Sequence, residues 1–194
     1  MGKGRIEAFS DGVIAIIITI MVLEMKVPHG DEWHDLAPIL PVFISYLLSF
    51  LNVAIYWNNH HHLFHAARYV NAKVLWANIH LLFWLSLFPF VTGWMGENHF
   101  TTLPIILYGV VLLMAGCAYF ILSQALIQLH GKDSTLAIAV GRDKKGIISV
   151  VFYVLALPLS LINGYFGLTI YAIVAAIWLI PDQRIEKKIL QRKE

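Results

Sequence analysis

Six apolar segments, each close to the length of a bilayer, follow one another with little between them. A helix needs about 20 apolar residues to cross a hydrocarbon core of ~30 Å. The 194-residue chain is 59% hydrophobic, against roughly 45–50% for soluble domains, and a soluble core of this size has no use for six such segments. The pattern predicts spans at 6–23, 36–64, 74–90, 103–129, 147–161 and 166–180. The chain therefore reads as an all-α integral membrane protein with six transmembrane helices in one domain over 1–194. No long linker or low-complexity run divides it. Its single cysteine, Cys117, sits in an apolar stretch, which excludes an intrachain disulfide and suggests no redox site.

Charge gives the sidedness. With the N-terminus on the cytoplasmic side, the inner segments carry 13 of the 14 Lys and Arg residues, and only Lys26 is outside. The outer loops hold Glu24, Asp31, Glu32, Asp35 and Glu97 instead. That asymmetry follows the positive-inside rule and predicts an even helix count with both termini cytoplasmic. Trp33 and Trp94 fall at the outer boundary, and Trp76 and Trp178 near the inner one, as interfacial anchors do.

The N-terminal stretch, GRIEAFSDGVIAIIITIMVLEMKVP, is polar in its first half and apolar in its second. Glu7 and Asp11 break the basic start of a signal peptide, and no small-residue cleavage site follows Leu23, so the segment is expected to be retained. Arg5, Glu7, Ser10 and Asp11 are costly on a lipid-facing helix. The first helix is therefore expected inside a bundle, as the wall of an ion pathway. Asp11 lies about 8 Å into its span at 1.5 Å per residue. Trp57, Asn58, Asn59 and His60 of the second span fall at a similar depth, as do Asn78 and His80 of the third. Buried polar groups need partners, so these residues are expected to join Arg5, Ser10 and Asp11 in an interhelical hydrogen-bond network. The role expected of it is structural or gating.

The run His60, His61, His62 and His65 raises a metal site, since His61 and His65 are four apart on a helix. No cysteine or carboxylate lies nearby in sequence to complete one, and a polar helix end is the expectation. No metal or other cofactor is expected, nor is a haem between His60 and His80.

The outer half of the first helix carries a sharper pattern. Gly12, Ile16, Thr19 and Leu23 share one face, with Ile20 beside them. Thr19 can satisfy its hydroxyl on a carbonyl one turn earlier and so be an ordinary packing residue. Were several copies of this helix to surround an axis, the same face would stack a hydroxyl ring between apolar rings. Apolar rings narrow a pore and gate it by dewetting.

The motif Arg5-x-x-x-Phe9-Ser10-Asp11 at the start of the first helix resembles the signature of the transmembrane protein 175 potassium channels, the endolysosomal channels of animals and their prokaryotic relatives. The Trp57-Asn58-x-His60 end of the second helix and the Asn78…Leu85…Phe88-Pro89-Phe90 pattern of the third are similar to that family too. The resemblance implies a homotetramer in a prokaryotic plasma membrane, with a central pore lined by the first helix and no TVGYG filter. It implies potassium as the permeant ion, Ile16, Ile20 and Leu23 as apolar constriction rings, and Thr19 as the layer that tunes potassium over sodium. It places Arg5, Phe9, Ser10, Asp11, Trp57, Asn58, His60, Asn78 and His80 around the inner-side network. Acids at the outer mouth, such as Glu24 and Asp31, would concentrate cations. The partners expected are further copies of the chain, potassium ions and lipid, with no nucleic acid and no enzymatic activity.

Two other classes fit parts of the pattern. A proton-coupled secondary transporter would use Asp11 and His80 as an intramembrane relay, although transporters often show repeats and broken helices that are not evident here. A membrane enzyme or haem protein would use the histidine run.

Overall fold

The structure is a computed structural model and describes residues 2–131, 134, 136–137 and 144–179. Regular structure among the described residues is entirely helical. Helix α1 spans Gly4–Leu23. A short 3-10 helix, Trp33–Ile39, leads into α2, Leu40–Ala66. Then come α3, Ala72–Ser86, α4, Phe88–Glu97, and α5, Thr102–His130. Helices α6, Lys144–Ile162, and α7, Gly164–Leu179, complete the bundle.

Local chemistry sets these boundaries. Asp35 accepts the Glu32 backbone N–H at 3.1 Å and starts the 3-10 turn. Pro41 then sits in the first turn of α2, where a missing N–H costs nothing. The Asn71 side chain caps α3 by accepting the Val74 N–H at 3.0 Å. Gly131, at φ +90°, closes α5 in a conformation that glycine adopts freely.

The third apolar segment differs from expectation. It does not end at residue 90, near Pro89; the chain is interrupted only at Leu87 and continues as α4 to Glu97. Pro89 falls in the first turn of the new helix, so the sequence tolerates a restart there. The true stop is at His99 and Phe100, both at positive φ, where the Phe100 N–H reaches back to the Met95 carbonyl at 3.0 Å. The last two helices are joined more tightly than the expected gap between residues 161 and 166: only Asn163 separates them, its side chain accepting the Tyr165 N–H at 3.0 Å.

Five helical stretches are long and apolar enough to cross a membrane: Gly4–Leu23, Trp33–Ala66, Ala72–Glu97, Thr102–His130 and Lys145–Ile162. Helix α7 is a shorter apolar helix of 16 residues, about 24 Å long at 1.5 Å per residue. Residue 180, the expected end of the sixth span, lies outside the described residues, as do the five basic residues of 181–194.

Helix α5 is the hub, packing on α3, α4, α6 and α7, while α1 lies against α2, α3 and α4. Helix α4 approaches α2 closely through Gly96, where an added Cβ would come within 2.7 Å of the Val42 Cα. Small residues at helix contacts take the place of a hydrophobic drive between helices in lipid.

Candidate functional site

The two sides of α1 meet different surroundings. Ile6, Ser10, Ile14, Ile17 and Met21 are buried, the last four at no more than 3% exposure. Arg5, Phe9, Gly12, Ile16, Thr19 and Leu23 are exposed, with Ile16 at 58% and Leu23 at 77%. These six, on a broader exposed side that also includes Ala8, Asp11, Ala15 and Val22, are four, three, four, three and four residues apart. That 3.5-residue spacing is the seam of helices that wind around one another. Ile20, at 42% exposure, flanks it.

The buried side is held by a directed chain of hydrogen bonds. Ser10 donates its hydroxyl proton to the Ile6 carbonyl at 2.8 Å. Its oxygen therefore accepts from the Asn78 amide nitrogen, 2.9 Å away. That leaves the Asn78 oxygen to accept from His60 Nε2 at 2.8 Å, which fixes the proton of the His60 ring on Nε2. One residue each from α1, α2 and α3 is thereby tied into a buried relay. Beside it, Trp57 Nε1 donates to Asp11 Oδ1 at 2.9 Å, and Lys3 donates to the Phe64 carbonyl at 2.6 Å.

Asp11 itself is exposed on α1. An aspartate in hydrocarbon costs about 2.5–3.5 kcal/mol on insertion scales, whereas a hydrogen bond to a charged group returns about 1.5–3 kcal/mol. The indole bond does not clearly offset the transfer, so this edge of α1 belongs against water or protein rather than lipid.

Five residues expected in the network stand outside it within one chain, among them Asn59, which donates to the Ile55 carbonyl of its own helix at 2.8 Å. Arg5 and Asn58 are exposed and make no side-chain hydrogen bond among the described residues. Phe9 is 59% exposed. His80 accepts from Trp84 Nε1, one turn along its own helix, at 3.0 Å. The expectation erred because depth along the bilayer does not fix azimuth: a residue at the right level can still face away. The Asp11–His80 pair of a proton relay is therefore not assembled, since each side chain has a different partner.

A second polar cluster escaped the sequence reading. Thr92 of α4 donates to Ser49 of α2 at 2.7 Å, and Ser49 donates to Tyr108 of α5 at 3.1 Å. Asn52 reaches the same Tyr108 hydroxyl at 3.5 Å. Thr92 also lies 3.9 Å from the Met21 sulfur and so touches the outer part of α1. The signal was present: Ser45, Ser49 and Asn52 recur at four and three residues along an otherwise apolar helix.

On the exposed side, Thr19 donates its proton to the carbonyls of Ile16, at 2.9 Å, and Ala15, at 3.1 Å. No group among the described residues donates to it. Its oxygen lone pairs are thus left on the exposed side, flanked by apolar neighbours. At the outer end, Lys26 pairs with Glu97 at 3.3 Å. The Glu24 carboxyl lies near Gly93, 3.2 Å from where a Cβ there would be.

Residues 5–89 match the family model described as endosomal/lysosomal potassium channel TMEM175. A protein of Chryseobacterium sp. strain P1-3 named as a potassium channel is 54% identical over 189 residues, covering 97% of this chain and 98% of that one. The human endosomal/lysosomal proton channel TMEM175 is 33% identical over 96 residues, covering 43% of this chain and 19% of the human one. The crystal structure of a lysosomal potassium-selective channel TMEM175 homolog from Chamaesiphon minutus superposes with a TM-score of 0.77 at 27% identity, over 92% of this chain and 96% of that one.

Proposed function

The chain belongs to the TMEM175 potassium-channel family, and from that premise we propose that it is a potassium channel whose pore forms where four copies of α1 meet. Each copy would turn its exposed seam to the axis. Ile16, Ile20 and Leu23 would then stack as apolar rings, and Thr19 would add a ring of hydroxyl oxygens between them. The observation that carries this reading is the contrast across α1: one side is buried and bonded, while the Ile16–Thr19–Leu23 side is exposed and has no partner on another helix among the described residues.

The chemistry suits passive conduction. The seam bears no charge from Gly12 to Leu23, so a cation passes without a tight-binding site. Apolar rings oppose wetting and raise the barrier to hydrated ions. The Thr19 proton is committed to the helix backbone, so its oxygen acts as an acceptor and replaces part of the hydration shell of the ion. The relay through Ser10, Asn78 and His60 would hold α1 against α2 and α3 and keep the seam aimed at the axis. The protein would reside in a prokaryotic plasma membrane with both termini cytoplasmic. Potassium is the permeant ion, and further copies of the chain and lipid are the partners.

Ion flux through the purified protein in liposomes tests this. Potassium should move down its gradient faster than sodium, without saturation and without a proton gradient. Saturating flux that requires protons would point to a coupled transporter instead.

A further inference from the structure

A cavity of about 460 Å³ lies between α2, α5 and α6, and no residue of α1 lines it. Its volume is within the range of ordinary ligand sites. It exists because α6 packs on α5 and α7 but makes little direct contact with α2. The floor is Gly116 and Cys117 of α5, where the missing glycine side chain opens the space. At the lip, Phe120, Ile147 and Val151 are about half exposed and apolar.

Several of the polar atoms around the wall are bonded within the chain. Asn52 donates to the Leu48 carbonyl, Asn59 to that of Ile55 and Tyr56 to that of Leu112. Ser149 donates to the Lys145 carbonyl and accepts from Trp178 Nε1, both at 2.8 Å. With a mainly apolar lining, the wall offers few partners to a water cluster, which needs two to four polar partners per molecule. The occupant is therefore apolar, and at membrane depth acyl chains surround the opening.

One end of the cavity is different. Trp178 and Gly146 line it there, and the Lys145 ammonium lies 5.8 Å over the Trp178 ring, 3.4 Å from the Ile177 carbonyl. A lysine above an indole at a helix end marks the headgroup level, and basic groups beside interhelical pockets complement anionic headgroups. We infer that this cavity binds one acyl chain of an anionic phospholipid, with the phosphate held at Lys145 beside the Trp178 ring. The site is independent of the pore and would exist in the single chain.

The test uses the full-length protein in liposomes containing phosphatidylglycerol or phosphatidylcholine with the same photoactivatable acyl chain. Labelled peptides should contain residues 116–121 and 147–151 in preference to the exposed α3 face around Ile79 and Phe83, and phosphatidylglycerol should label more than phosphatidylcholine. Lys145→Gln should cut that headgroup preference about fivefold, the worth of one basic residue at a membrane surface, while the labelled peptides stay the same. Gly116→Phe should abolish most of the labelling. Gly116→Ala, whose methyl would meet nothing closer than 3.7 Å, should preserve it. Val150→Phe fills the space from the opposite wall should Gly116→Phe fail to fold. Equal labelling of α3, or labelling untouched by both filling variants, would overturn the site. Equal labelling by the two phospholipids, or competition by a free fatty acid as effective as by phosphatidylglycerol, would overturn the anionic-phospholipid assignment.

Discussion

Two sides of α1 are built from nearly the same residues. One has Ser10, Ile14, Ile17 and Met21; the other has Gly12, Ile16, Thr19 and Leu23. Both hydroxyls donate to a carbonyl about one turn back. Ser10 also accepts from Asn78 on a neighbouring helix and is fully buried, whereas Thr19 accepts from no described residue and is exposed. The difference lies in what faces each oxygen. An oxygen already paired to protein fixes structure, and an unpaired one set among apolar side chains is available to a passing ion. Substitutions on the first side should therefore change stability with little effect on selectivity, and those on the second should do the reverse.

The largest expected effect is on the packed side. Met21→Ala empties a fully buried position and should cost about 2–5 kcal/mol. Thermal unfolding in detergent measures this, and the potassium-to-sodium flux ratio of whatever protein folds should be unchanged. Asn78→Ala leaves His60 and Ser10 without their shared partner. It should cost about 1–3 kcal/mol, the penalty for unsatisfied buried groups, and a loss nearer the ~0.6 kcal/mol average of membrane interhelical bonds would mean that water or another side chain replaces the amide. On the seam, Ile16→Asn should raise potassium leak about tenfold, equivalent to ~1.4 kcal/mol off the barrier, with unfolding unaltered. Thr19→Ala should bring potassium and sodium permeabilities closer by a few-fold, under about 1 kcal/mol, measured as a shift in bi-ionic reversal potential. The smallest effect is expected at the mouth. Glu24→Gln with Asp31→Asn should lower conductance at low salt only, because the Debye length falls to about 3 Å at 1 M. A selectivity change in Asn78→Ala with intact stability, or a stability loss in Thr19→Ala with intact selectivity, would erase the division between the two sides.

Much of this arrangement was legible in the sequence. Hydropathy marked the six segments, and polar residues at one depth pointed to Ser10, Asp11, Trp57, His60 and Asn78. Depth says nothing of azimuth, so His80, which bonds to Trp84 one turn away, was placed in the wrong company, as were Arg5 and Asn58. The break at Leu87 was obscured because Pro89 reads equally as a stop or as the first turn of a new helix. The stop at His99 and Phe100 has no glycine to announce its positive φ. The Thr92–Ser49–Tyr108 cluster was missed because serine and threonine within apolar segments usually bond to their own helix, so their spacing drew no notice. The cavity beside α5 follows from the separation of α2 and α6, which no local pattern encodes.

Thiol accessibility along α1 tests the central claim most directly. Single cysteines at Ile14, Ile16, Ile17, Ile20 and Leu23, in a Cys117→Ser background, would be reconstituted and exposed to a charged thiol reagent while potassium flux is recorded. Block is expected at positions 16, 20 and 23 and not at 14 or 17. Block at 14 or 17, or flux indifferent to reagent at 16, would place the ion path elsewhere.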